Sequence, residues 1–296
     1  MSNKIGILID SSSTFNDGFI KSNNIEIIPL SLTDNNNKVY DDLTDISHED
    51  LLKRLDNGED FKTSCSQLGK LFNKVDEMLK KYEQVVFLPI SMGLSSQYNQ
   101  SLMVQQEYPN KFFVIKSTSA ALANEFILKH LVDDIKKNLD INQIINHAEN
   151  NYNRICTYFS CEDLSGMIKG GRATKAVMHV IKFLHLKPII QLDNKNQYGG
   201  VGRDYQHIIK KIIKNIHKDF NEDLTPDKII NIGIYQAGYD KTKEDYILNE
   251  ISNSFNYPKE KILIRFIPNC VLCHTHRGAY GISIETSLLR KNKEYK

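Results

Sequence analysis

Hydroxyl side chains gather at four places in the first half of the chain. These are Ser11-Ser12-Ser13-Thr14 after Asp10, Thr63-Ser64-Cys65-Ser66, Ser91 with Ser95-Ser96, and Ser117-Thr118-Ser119. A neutral O–H both donates and accepts, and beside the N–H groups of a helix N-terminus it suits an anionic oxygen group. Each cluster alone is what helix capping produces. Four of them on one predicted sheet edge point further, to a site for such a group, although shared capping needs could also produce them.

The second feature is NCVLCHTHRGAYG at residues 269–281. C-x-x-C beside H-x-H offers Cys270, Cys273, His274 and His276 as metal donors, but they lie too close for a usual zinc knuckle and no second cysteine pair matches. A redox C-x-x-C belongs at a helix N-terminus after a strand, whereas here it leads into His-rich loop material. What remains is a structural loop, or a site using one histidine with Arg277 and Arg172. Arg172 follows Gly170-Gly171. A guanidinium fork pairs bidentately with phosphate or carboxylate, and two glycines let backbone N–H groups approach closely. A helix C-cap followed by a solvated arginine is the plainer reading. GLSSQ at 93–97 lacks the final glycine of a G-x-S-x-G elbow, which leaves a Ser95 hydrolase weakly supported. Neither G-x-G-x-x-G nor a Walker A loop is present, so no dinucleotide site and no autonomous ATP site is indicated.

The elements that must position these groups alternate. Ile5–Ile9 reads as a strand ending in a polar turn suited to cap a helix, and Ile25–Leu32 as a strand broken by Pro29. Ser47 with Asp50 opens a helix in the manner of a capping box. Leu68–Lys81 has helical spacing, Val85–Pro89 is a strand, Ser95–Gln106 a helix, Phe112–Ile115 a strand, and a helix starts at Ala120. Such alternation predicts parallel βαβ units, with the ligand edge at the carboxyl ends of the strands. Beyond an amphipathic helix at Ile141–Tyr152 the pattern changes. Thr157–Phe159 is strand-like and Gly170-Gly171 interrupts two helical patterns. Ile229–Tyr235, Ile262–Ile267 and Ala279–Ile284 are strands, and Lys241–Asn253 is a helix. The expected domains are 1–152 and 153–296.

The 296 residues suffice for two domains with real cores; 41% are hydrophobic and 25% charged, an ordinary globular balance. With 38 basic and 36 acidic side chains intermixed, no basic tract invites nucleic acid. The opening apolar run is too short for a signal peptide, and no run approaches the ~18 apolar residues of a transmembrane segment, so a cytoplasmic protein is expected. Five cysteines, an odd number, argue against a disulfide framework.

KIGILIDSSSTF (4–15), KTSCS (62–66), ISMGLSSQY (90–98), VIKSTSA (114–120), IKGGRATKA (168–176), LHLKPII (184–190) and CHTHRGAYG (273–281) occur in the order found in the DegV family, which the chain resembles over nearly its whole length. These are fatty-acid-binding proteins, the acyl-carrying subunit of bacterial fatty acid kinase. The resemblance implies a two-domain α/β protein, with an N-terminal parallel-sheet α/β domain and a C-terminal α+β domain. A long-chain, palmitate-like fatty acid lies between them as ligand, with no covalently bound cofactor and no metal. It implies that Thr63, Ser64, Ser91 and Ser95 hold the carboxylate. Arg172 and His274 then assist phosphotransfer by a separate kinase subunit, the chain itself being non-catalytic. Departures are Met92 in place of a carboxyl-binding serine, Cys65-Ser66-Gln67 in place of Gln-Pro-Ser, Lys116 where aspartate is common, and His276-Arg277-Gly278 in place of Gly-Pro-Gly. Met103, Met167, Met178, Phe183 and Leu184 are candidates to line the acyl tunnel, or plain core at helical spacing. The alternatives are lipid transport without kinase coupling and, last, an autonomous serine hydrolase or metal enzyme.

Overall fold

The computed structural model describes residues 4–162, 164–171, 186–220, 222–238 and 240–291. Short β-branched runs form the first sheet: β1 (Ile5–Asp10), β2 (Glu26–Ile28), β6 (Gln84–Leu88) and β7 (Phe112–Val114), all parallel, in the order β2-β1-β6-β7. Leu8, Val85, Phe87 and Phe112 pack on one face, against Leu71 and Val75 of α3 (Leu68–Leu79) and Val104 of α4 (Gln97–Glu107). A separate antiparallel sheet joins β4 (Val39–Asp41), β3 (Ser31–Asp34) and β5 (Phe61–Ser64). The strand expected over Ile25–Leu32 is therefore two strands in two sheets. Pro29, which has no N–H to give a ladder, stands at the division.

Helix capping does not explain the hydroxyl clusters. α1 (Asp17–Ser22) is capped by Asn16, and neither α3 nor α4 has a side-chain cap bond. The Ser47 cap of α2 (His48–Asp56) does form: its Oγ accepts from the Asp50 N–H and donates to the Asp50 carboxylate at 2.7 Å.

The second half forms one six-stranded sheet, β10-β9-β8-β13-β11-β12. Its strands are β8 (Ile155–Ser160), β9 (Lys187–Asp193), β10 (Lys195–Gly202), β11 (Ile229–Gln236), β12 (Leu263–Phe266) and β13 (Tyr280–Thr286). All pairs are antiparallel except β11 with β12. One face is covered by α8 (Tyr205–Lys218) and α9 (Lys241–Phe255) through Ile208, Ile212, Ile247 and Ile251. Strand membership changes at about residue 152, but the apolar core does not. It runs from Ile9 and Leu88 through Leu122 and Phe126 of α5 (Leu122–Lys136) to Phe159 and Tyr235. A helix apolar on nearly all sides belongs between layers, and α5 lies there.

Glu125, in the first turn of α5 and 3% exposed, secures that helix to both halves. The Thr14 hydroxyl donates to Oε2 at 2.7 Å, while the Arg265 Nε and Nη2 groups bind Oε2 and Oε1 at 2.9 and 2.7 Å. Removing one partner strands a charge in the interior. Arg265→Met is expected to lower unfolding free energy by about 3 kcal/mol, measured by urea denaturation.

Candidate functional site

A cavity lies where the three-stranded sheet, the carboxyl end of β6 and the face of the six-stranded sheet away from α8 and α9 meet. Leu30, Ile90, Phe159, Leu192, Ile267 and Val271 give it apolar walls. Thr63, Ser64, Ser95 and His274 stand together in the same lining, so four of the sequence-predicted residues reach one space.

Thr63 sits near the end of β5 and His274 in the last turn of α10 (Asn269–Thr275). The Thr63 Oγ1 is 3.0 Å from the His274 Nε2, and the Nδ1 lies 3.3 Å from the Gly166 carbonyl. A carbonyl only accepts, so in the neutral ring the proton belongs on Nδ1 and the Thr63 hydroxyl donates to Nε2.

That histidine is placed by two glycines. Gly166 lies in α7 (Ser165–Lys169) and Gly170 caps it, one turn apart on one face. A Cβ at Gly166 would stand 2.7 Å from the His274 carbonyl oxygen, and one at Gly170 would stand 2.7 Å from the imidazole ring. The glycine pair thus serves the approach of α10, while Gly171, at φ +73°, turns the chain out of the helix. Arg172, Met178, Phe183 and Leu184 lie outside the described residues.

Ser91 and Met92 do not border the cavity. Ser91 is fully buried; its hydroxyl donates to the Asn194 carbonyl at 2.6 Å and accepts from the Gly93 N–H. Met92 is 38% exposed. Ser95 keeps its place in the lining and accepts from the Gln97 N–H, with the Cys65 thiol 3.8 Å away. Met167 lines the cavity, whereas Met103 is exposed. Sequence reasoning passed over Asn196, Thr275 and Tyr235 and considered Cys270 only as a metal or redox group; all four also line it. Tyr235 carried no signal beyond membership of an apolar strand.

The Cys/His segment, expected as a loop, is a helix that starts after Pro268 and buries Cys270 and Cys273. Burial pushes both thiols well above the usual range, which keeps them protonated and poor nucleophiles. Among the described residues, no group of three or more His, Cys, Asp or Glu side chains converges as a metal site. His276 ends the helix at φ +55°, in the left-handed region that favours glycine. Its Nε2 would be 2.8 Å from a Cβ at Gly166, and the next residue, Arg277, pairs with Asp56.

Two buried acids stand behind the cavity wall. Asp10 accepts from the Ser12 N–H and hydroxyl and, at 2.7 Å, from the N–H of the lining residue Ile90. Asp42 accepts from Ser11, whose oxygen in turn takes the Leu30 N–H. Desolvation raises each carboxyl from 3.8 to about 6.

The family model described as "Uncharacterised protein, DegV family" matches residues 4–287. A DegV domain-containing protein of Ureaplasma parvum is 30% identical over 291 residues, 98% of each chain. One from Staphylococcus aureus is 28% identical over 282 residues, covering 94% of this chain and 97% of its own. Among solved structures, a fatty-acid-binding DegV family protein from Thermus thermophilus superposes with a TM-score of 0.84 at 19% identity, over 96% of this chain and 99% of that one. A stearic-acid-binding protein from Eubacterium ventriosum gives 0.82 at 19% identity, over 96% and 98%.

Two outcomes follow from the site's packing and charge. Gly166→Ala should force α7 from α10 and cost about 1–3 kcal/mol, read as a lowered urea midpoint. Asp42 holds its proton more tightly folded than unfolded. Its contribution is full below the unfolded value of 3.8 and is lost as pH rises through about 6. Urea titrations at pH 4 and pH 7 should show wild type losing on the order of 3 kcal/mol relative to Asp42→Asn over that interval.

Proposed function

The chain belongs to the DegV family, and from that premise we propose that it binds a long-chain fatty acid in the buried cavity, with the carboxylate at Thr63, Ser64 and Ser95. The observation that carries this reading is the single space in which apolar walls meet the Thr63–His274 pair. Burying about fourteen methylenes at ~0.8 kcal/mol each supplies roughly 11 kcal/mol before ordering costs. The tail therefore dominates affinity, and head-group hydrogen bonds of ~1–3 kcal/mol decide orientation.

A carboxylate only accepts, so Thr63 serves it by turning its proton toward the ligand. His274 Nε2 then loses its donor, and an imidazolium restores the chain by donating to the Thr63 oxygen. Ser91, with its hydroxyl given to Asn194, contributes by holding the loop that carries Ser95.

The finer proposal is that the bound carboxylate is presented to a separate kinase subunit for acyl-phosphate formation, with Arg172 and His274 assisting transfer. The family resemblance is its support. Mass spectrometry of an organic extract of the purified protein should detect a co-purified acyl chain; its absence after reloading with palmitate overturns the lipid reading. Addition of a cognate kinase and ATP should then yield acyl-phosphate, and bound lipid without product would leave a carrier only. Thr63→Val should retain the acyl chain but bind it about 5- to 50-fold more weakly by competition, the equivalent of losing one such hydrogen bond. Unchanged affinity and unchanged acyl-phosphate yield would remove Thr63 from the head-group site.

A further inference from the structure

We propose that Tyr235 makes the cavity selective for acyl chains that carry a hydrogen-bond acceptor away from the carboxylate, such as an in-chain hydroxyl or oxo group. The inference rests on the fatty-acid reading and narrows its ligand. Tyr235 is 3% exposed and lines the cavity. Its hydroxyl has no hydrogen-bond partner among the described residues. Other buried tyrosines are served: Tyr40 donates to Asp34, Tyr152 to Asn124 and Tyr158 to Asp219. Tyr280 is set beside Ser160 and under Lys243 and does not line the cavity.

The position of the ring is built. Tyr235 on β11 faces Gly281 on β13, and Gly281 faces Phe159 on β8. A Cβ at Gly281 would collide with the Tyr235 ring and its hydroxyl oxygen. The ring therefore lies across the glycine toward Phe159, and both aromatic side chains reach the cavity wall. A phenylalanine would fill the same groove without a polar atom.

A plain polymethylene chain filling the cavity would seal that hydroxyl without a partner, which is costly. An oxygen on the chain at the level of Tyr235 removes that cost. Sites that carry a buried hydrogen-bonding group discriminate against ligands unable to answer it far more strongly than apolar pockets discriminate by size.

The test is competition binding of stearate and a set of mid-chain hydroxystearates, differing in hydroxyl position, to wild type and Tyr235→Phe. Wild type should prefer at least one positional isomer over stearate by about tenfold. Tyr235→Phe should lose that preference while binding stearate at least as well, its stearate affinity serving as the measure of an intact cavity. Stearate bound as tightly as every isomer by wild type, or a preference unchanged in Tyr235→Phe, overturns the proposal alone. Absence of binding by every acid to wild type overturns it together with the fatty-acid reading.

Discussion

One buried carboxylate, Glu125, fixes the register on which the cavity depends. Its charge is affordable in the interior only because donors from both halves of the molecule converge on it: Thr14 from the loop after β1 and Arg265 from β12. The same first turn of α5 is tied to the first half through the backbone, where the Ala121 N–H donates to Ser12 and the Thr14 N–H to Ala121. Ala120 and Ala121 then form cavity wall, as does Ile267, two residues beyond Arg265. Ala121 holds φ +53°, a conformation costly for a residue with a Cβ, and these bonds keep it there. Walls contributed by separate sheets thus share one electrostatic anchor.

The alternation of strands and helices in the first half was legible in the sequence because local pattern decides it. The fate of the hydroxyls was not. Ser91 and Ser95 share a loop and a composition, yet one hydroxyl closes on a carbonyl 103 residues away while the other faces the cavity. Ser66 pairs with the Gln97 side chain, and Ser117 with Tyr152 and Asn124, so these hydroxyls stitch elements together inside the protein. Local sequence carries no trace of such long-range pairing. Helix α10 was hidden for a related reason. Its seven residues are too few for periodicity to register, and what holds it is burial of Cys270, Leu272 and Cys273 against other elements.

The altered histidine loop becomes intelligible through the glycines it faces. His276 takes a positive φ that side chains avoid and glycine adopts freely. Two contacts accompany it. Its imidazole reaches the bare backbone at Gly166, and Arg277 is tied to Asp56 of α2. Gly166 thereby receives both histidines of the H-x-H motif, one through the His274 backbone and the other through the His276 ring. A change at this glycine, which does not itself line the cavity, reaches the site through the partner of Thr63.

The charge distribution around the cavity bears on why hydroxyls would receive a carboxylate at all. Among the described lining residues there is no lysine or arginine, and the buried groups that hold the backbone of lining residues Ile90 and Leu30, Asp10 directly and Asp42 through Ser11, are themselves acids. A guanidinium pair would bind a carboxylate more tightly, but it would also draw off the electron density that makes the oxygen a nucleophile. On the proposed reading, hydroxyls and one imidazole would orient the group and leave that density in place. Affinity on the proposed reading comes from the apolar tail, which frees the head-group site from having to supply it. A carrier that must hold its ligand firmly and still surrender its carboxylate to another protein's chemistry is best served by that division between tail and head.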